Sequence, residues 1–178
     1  DNQYLLNKKF PKNIPFIKSL YYTTKNNIKY INVIMEYLDK YITLSEYLND
    51  LDFDDKLNKS HKLLLDISKF IYKINKKKII HGDLHTDNIM VNTSGTKFYL
   101  IDFGYSVNFN NKRPTNINNL PQDLLFSFDN WKFVKDLTEY YTFKPDIIRQ
   151  ILIPDIKRYI KDYEEIFNND VGWWSRLL

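Results

Sequence analysis

A chain of 178 residues, 43% hydrophobic and 27% charged, is long enough for one packed domain and too apolar to remain disordered. It has no Cys, which excludes disulfides and thiolate metal sites and fits an intracellular protein. The net charge of +4 reads as a solvated basic surface, so nucleic acid is not expected as a partner.

The apolar-rich patches, such as Phe98–Phe103, are strand-length, and no membrane span is expected. The chain opens with neither Met nor a basic and apolar leader, so no secretory signal is expected, and the true N-terminus is expected upstream. The abundance of Asn, Lys, Ile and Tyr, all with AT-rich codons, is compatible with an AT-rich microbe or a large DNA virus. A cytoplasmic location is expected, in the host cytoplasm or the virion were the source viral.

Taken from the start, Asn2–Lys9 reads as the end of a helix, and Pro11 and Pro15 bracket a loop. Phe16–Thr24 and Ile28–Leu38 are dominated by β-branched and aromatic residues and predict two strands around a Lys25-Asn26-Asn27 turn. Thr43-Leu44-Ser45-Glu46 has the spacing of a capping box, which predicts a short helix through Tyr47–Leu51. Ser60 is a candidate cap for a longer helix. In that helix Leu63, Leu64, Ile67, Phe70, Ile71 and Ile74 recur on one buried face, while His61 is expected at the surface.

Lys76, Lys77 and Lys78 complement the dipole at that helix's C-terminal end. Two short strands follow, Ile89–Asn92 and Lys97–Ile101, around a turn containing Asn92, Ser94 and Gly95. The chain is then irregular from Gly104 to Pro121, with Asn concentrated between Asn108 and Asn119. Asp123–Tyr141, Asp146–Ile153 and Asp155–Phe167 predict helices punctuated by Pro145 and Pro154, and Trp173-Trp174 is expected to pack on the body.

Three segments carry chemistry in an informative order. His81-Gly82-Asp83-Leu84-His85-Thr86-Asp87-Asn88 follows the long helix, Ile101-Asp102-Phe103-Gly104 follows the hairpin, and Ile34-Met35-Glu36-Tyr37-Leu38 closes the second strand. Phosphoryl transfer needs groups that position the reactants and cations that meet the charge on the transferred oxygens. Mg²⁺ takes hard oxygen ligands, usually one or two carboxylates plus substrate phosphates. Asp102 at a strand end and the neutral carbonyl oxygen of Asn88 suit that need. Asp83, in a loop, could accept or orient the proton of an acceptor hydroxyl.

Asp83 with Asn88 five residues later resembles the catalytic loop of protein kinases, and Asp102-Phe103-Gly104 resembles their metal-binding motif. Met35-Glu36-Tyr37-Leu38 resembles the gatekeeper and hinge. The resemblance runs from about Phe10 to Gly104 and is weaker to about Tyr141. It implies an α+β, protein-kinase-like fold: a predominantly helical C-lobe over residues 39–178 and a remnant of N-lobe strands over residues 1–38. It also implies ATP and Mg²⁺ as cofactors, Asn88 and Asp102 as metal ligands, Asp83 as catalytic base or orienter, and Met35 backing adenine. Backbone groups of Glu36 and Leu38 would bond the base edge.

By the same resemblance His81 packs beneath the loop, and Asp129 or Asp123 bonds the loop backbone from the next helix. His85 stands where protein kinases often have a Lys, and is a catalytic candidate as a phosphate contact or acceptor-site residue. Gly82 replaces the Arg that commonly precedes the catalytic Asp, so no activation-loop phosphate switch is expected. The string His81–His85 is closer to atypical kinases and to aminoglycoside and choline phosphotransferases. The acceptor is therefore a protein Ser/Thr or a small-molecule hydroxyl. Gly occurs only at 82, 95, 104 and 172, which leaves no Gly-rich phosphate loop. A pseudokinase or structural module is the competing reading.

Overall fold

The computed structural model describes residues 2–51, 53–109, 128–130 and 132–137. Asp123, Trp131, the helices expected beyond Tyr141 and Trp173-Trp174 lie outside these residues. In chain order the elements are α1 (Asn2–Lys9), β1 (Ile17–Lys25), β2 (Ile28–Met35), β3 (Tyr41–Thr43), α2 (Leu44–Asn49) and α3 (Phe53–Asn75). Then come β4 (Ile79–Ile80), a 3-10 turn (Thr86–Asn88), β5 (Ile89–Asn92), β6 (Phe98–Leu100) and β7 (Val107–Asn108). Residues 128–130 and 132–137 are helical and are called α4. The chain is α+β, as expected.

The β1–β2 hairpin turns on Asn26 and Asn27, whose φ values of 52° and 60° both lie in the left-handed region. Two consecutive left-handed residues make the tight turn that matches strand twist, and Asn tolerates that region better than most side chains. The pairing runs from Lys25↔Ile28 to Ile17↔Met35, with an irregularity between Ile17 and Ser19. Ribbon side chains on both faces are exposed, Tyr22 and Ile31 among them.

The core sits around α3. Leu63, Leu64, Ile67, Phe70, Ile71 and Ile74 are buried, as their spacing predicts. They form one cluster with Leu6 and Ile14, with Ile89, Val91, Phe98 and Leu100 of the β5–β6 hairpin, and with Phe133 and Leu137 of α4. Each such side chain contributes roughly 1.5–3 kcal/mol by leaving water. Phe70 meets Phe10 and Phe98 edge-on, at ring centroid distances of 5.3 and 5.5 Å.

The helix begins earlier than its apolar pattern suggests. Ser60 is not a cap but a fully buried interior residue, because α3 starts at Phe53. The first turns carry only Phe53 and Leu57 as large apolar residues, too few to display a period. His61 is correspondingly half-buried rather than on the surface. Lys76–Lys78 form the closing turn after α3, where Lys78 takes a φ of 60°.

Thr43 caps α2 with the expected reciprocal pair: its Oγ1 accepts from Glu46 N at 3.1 Å, and Glu46 Oε2 accepts from Thr43 N at 2.8 Å. In the β5–β6 turn, Asn92 Oδ1 accepts from the backbone N–H groups of Thr96 and Lys97. Gly95 there has a φ of +66° and lies against Tyr47, so close that an added Cβ would fall 2.2 Å from the phenol oxygen. Only Gly fits.

Candidate active site

The loop after β4 alternates inward and outward. His81, Leu84, Thr86 and Asn88 are buried, whereas Asp83, His85 and Asp87 are partly or fully exposed. That alternation anchors the loop with one set of side chains and presents the other. Gly82 makes it possible, with a φ of 91° that other residues adopt only under strain.

Helix α4 fixes the loop from behind. The buried carboxylate of Asp129 accepts from His81 N at 2.7 Å, Gly82 N at 3.0 Å and Asn75 Nδ2 at 2.7 Å. Two turns later Asp136 Oδ2 accepts from Thr86 N at 2.8 Å, at the start of the 3-10 turn. Of the two aspartates offered by the sequence, Asp129 is thus the one seen to bond the loop backbone; Asp123 lies outside the described residues.

The His81 ring links this loop to the Asp102 segment. Nε2 meets Ile101 O at 2.8 Å, and Nδ1 faces Asp83 N at 3.4 Å. A carbonyl only accepts and a backbone amide only donates, so the ring is the neutral Nε2–H tautomer. Burial pushes its pKa below the ordinary His value, against the opposing pull of Asp129, the Ile101 bond, Asp83 and Asp102. The ring also packs against Phe103, centroid to centroid 4.5 Å.

Asp83 is half-exposed at the loop's outer edge, and Lys132 Nζ of α4 donates to its Oδ1 at 2.5 Å. Partial burial raises the Asp83 pKa, but the bond and charge of Lys132 outweigh it and leave the carboxyl below its ordinary value. Asn88 Nδ2 donates to Asp83 O at 2.7 Å and meets His85 Nε2 at 2.9 Å. Because a carbonyl can only accept, the first bond fixes the amide orientation. The His85 nitrogen that faces this amide is therefore placed to accept from it.

The β5–β6 hairpin brings Asp102 to the same end of the structure. Ile89 pairs with Leu100, and Ile101 N donates to Asn88 O at 3.0 Å, so Asn88 stands across from the residue preceding Asp102. Asp102 is exposed, with a φ of 59°, and its Oδ1 accepts from Gly104 N at 3.2 Å. A Cβ at position 104 would lie 3.1 Å from that oxygen, which suits Gly. Beyond it, Ser106 is tied to α1 by Asn2 Nδ2, which donates to its carbonyl and hydroxyl oxygens at 3.0 Å each.

The expected hinge residues lie at the end of β2. Met35 is partly exposed, Glu36 N donates to Phe16 O, and Tyr41 N donates to Leu38 O. Among the described residues, the Glu36 carbonyl and the Leu38 amide have no hydrogen-bond partner within the chain.

These donors fit a divalent ion only in company. No group of three or more His, Cys, Asp or Glu side chains among the described residues could hold a metal by itself. Mg²⁺ shared with substrate phosphates needs fewer protein ligands. Asn88, its amide nitrogen committed, keeps an oxygen for that purpose, as does the exposed carboxylate of Asp102. Lys132 and Asp136 carry no motif of their own in the sequence. The available signal was spacing: residues 129, 132 and 136 share one helix face. Among the described residues, no helix is long and apolar enough to cross a membrane.

The KEOPS complex subunit Bud32 of Pyrococcus abyssi is 33% identical over 97 residues, covering 54% of this chain and 38% of that protein. Serine/threonine-protein kinase 1 of African swine fever virus is 26% identical over 113 residues, covering 64% of this chain and 36% of that protein. Each match spans little more than a third of its relative's length. WaaP, solved in complex with acyl carrier protein, shares the fold at a TM-score of 0.60 over 98% of this chain and 71% of that chain, with 9% identity. The family model described as "Protein kinase domain" matches residues 5–123, more than half of the sequence. The chain belongs to the protein kinase domain family.

Proposed function

We propose that this chain carries the catalytic part of an ATP- and Mg²⁺-dependent kinase that transfers the γ-phosphate of ATP to a hydroxyl, that of Ser or Thr in a protein. The observation that carries the reading is the meeting of the Asp83 loop and the Asp102 segment at one end of the β5–β6 hairpin, joined through Ile101 to both His81 and Asn88. The protein acceptor is favoured by the African swine fever virus relative, which is named as a serine/threonine-protein kinase.

In this reading Asp83 orients the acceptor hydroxyl and takes its proton, while Asn88 and Asp102 supply oxygens to Mg²⁺. When bound, Mg²⁺ neutralises charge developing on the phosphate oxygens. Met35 backs adenine, and the Glu36 carbonyl and Leu38 amide bond the base edge. His85, bonded to Asn88, orders the loop beside the acceptor. Residues 1–38 form the end of an N-lobe and residues 39–178 the C-lobe. The exposed apolar side chains on both faces of the β1–β2 ribbon support that division, because such faces are normally covered.

The test is transfer of labelled phosphate from ATP to a generic Ser/Thr protein acceptor by the intact protein. Asp83→Ala is expected to abolish transfer while Mg-ATP still raises the melting temperature. Turnover like that of the wild type in this variant would remove the catalytic assignment. A pseudokinase or structural module is the second reading. It predicts no transfer from the wild type to protein or to small-molecule hydroxyls.

A further inference from the structure

We propose that Lys132 is the positioning residue of the transfer step: delivered by α4, its ammonium clamps the Asp83 carboxylate and supplies the positive charge that the loop itself lacks. The inference rests on the kinase reading above and adds a residue to it. In that transfer the acceptor oxygen gains the bond to phosphorus that the departing ADP oxygen loses. The hydroxyl proton passes to Asp83, and Lys132 keeps its own protons throughout.

The charge inventory of the loop motivates the proposal. Residues 81–88 contain Asp83 and Asp87 and no Lys or Arg, and the buried His81 ring is neutral by its hydrogen bonds. Asp129 and Asp136 add carboxylates from α4, and Asp102 adds another from the facing segment. Anionic oxygens of a phosphate would thus arrive among carboxylates. Lys132 Nζ, within bonding distance of Asp83 Oδ1, offsets that charge where the acceptor must sit.

Its placement is built rather than incidental. Asp129 and Asp136 grip the loop backbone on either side of Lys132, and all three lie on one face of α4. The helix therefore cannot shift without breaking those bonds. The Lys132 side chain is 27% exposed and that of Asp83 34%, so the pair is sheltered yet open to a substrate. An ammonium has three donors, and Asp83 uses one. Holding a reacting carboxylate in one orientation is how a positioning group raises turnover without strengthening binding.

The experiment compares Lys132→Met, Lys132→Arg and the double variant Lys132→Met/His85→Lys with the wild type and Asp83→Ala in the intact protein. His85 Nε2 lies 3.9 Å from Asp83 Oδ2, so a lysine there can reach the same carboxylate from the loop side. Lys132→Met is expected to lower kcat on the order of 10²-fold, with KM for ATP changed by no more than about twofold. Lys132→Arg retains a tenth or more of the activity, and the double variant regains about tenfold over Lys132→Met.

A readout independent of turnover is the Lys132 Nζ signal in ¹⁵N-lysine-labelled protein. It should show slowly exchanging protons in the wild type and lose them in Asp83→Asn. Unchanged kcat in Lys132→Met beside an inactive Asp83→Ala would overturn the inference and leave the kinase reading standing. Loss of kcat without recovery in either rescue variant, in step with a lower melting temperature, would reduce Lys132 to a structural contact. Wild-type turnover in Asp83→Ala would instead strike the kinase reading itself.

Discussion

The loop at residues 81–88 and the β1–β2 ribbon are both narrow pieces of chain, held in opposite ways. The loop borrows its bonds from elsewhere: Asp129, Asp136, Lys132 and Ile101 come from distant sequence to meet its backbone and side chains. The ribbon pairs with itself through an unbroken run from Ser19↔Ile34 to Lys25↔Ile28, and its side chains stand in solvent. Backbone pairing alone gives a ribbon its shape, whereas a buried irregular loop needs its polar groups met by partners placed for them. The two regions should therefore respond very differently to substitution.

The sharpest break should come at Asp129. Asp129→Ala leaves the buried amides of His81 and Gly82 without this acceptor and takes one of two from Asn75 Nδ2, and is expected to cost about 3–5 kcal/mol in denaturant unfolding. A loss under about 1 kcal/mol would show that the loop is held by something else. Gly95→Ala comes next, at about 1–3 kcal/mol, because the new methyl group meets Tyr47 and the φ of +66° is strained for Ala. Tyr47→Phe in the Gly95→Ala background should recover part of that loss, measured the same way.

A smaller effect is set by pH. His81 has a folded-state pKa below its unfolded value of about 6.5, so the unfolded chain binds the extra proton. The stability associated with the neutral ring is complete above the unfolded pKa and is lost as pH falls from there toward the folded pKa. His81→Gln removes the titration and should flatten this decline by at most about 1.4 kcal/mol per pH unit. Equal slopes in chemical unfolding of both proteins would contradict a buried neutral ring. Ile31→Thr on the ribbon is expected to change stability by no more than about 0.5 kcal/mol, since Ile31 is 63% exposed. A large loss there would erase the contrast.

Where a structural cause is local, the sequence displays it. The apolar period of α3, the Thr43–Glu46 box and the Asn26-Asn27 turn each act within a few residues, and each lies where its pattern places it. The three-residue β3 and the two-residue β4 and β7 escaped notice because they are strands only through their pairing. Tyr41 meets Asn92, and Ile79 meets Asn108, with no local preference to announce it. Lys132 was hidden for the same reason: one lysine among many cations acquires meaning only when α4 lies across the loop. The kinase family was legible because the spacing and flanking residues of Asp83, Asn88 and Asp102 form a recognisable pattern, and the matching family model is that of the protein kinase domain. What binds Asp83 from behind was not part of it.

The bonds made by Asp129 also bear on when the loop takes shape. Its partners Asn75, His81 and Gly82 precede it by 54, 48 and 47 residues. During synthesis the β5–β6 hairpin can pair while residue 129 is still unmade, but the loop before it lacks its acceptor until α4 emerges. Closing so long an intervening segment is an entropic cost met late, after local structure has formed. A nascent chain stopped before residue 128 would carry the helix and the hairpin with a slack joint between them. The geometry of the loop should be among the last features of the described structure to set.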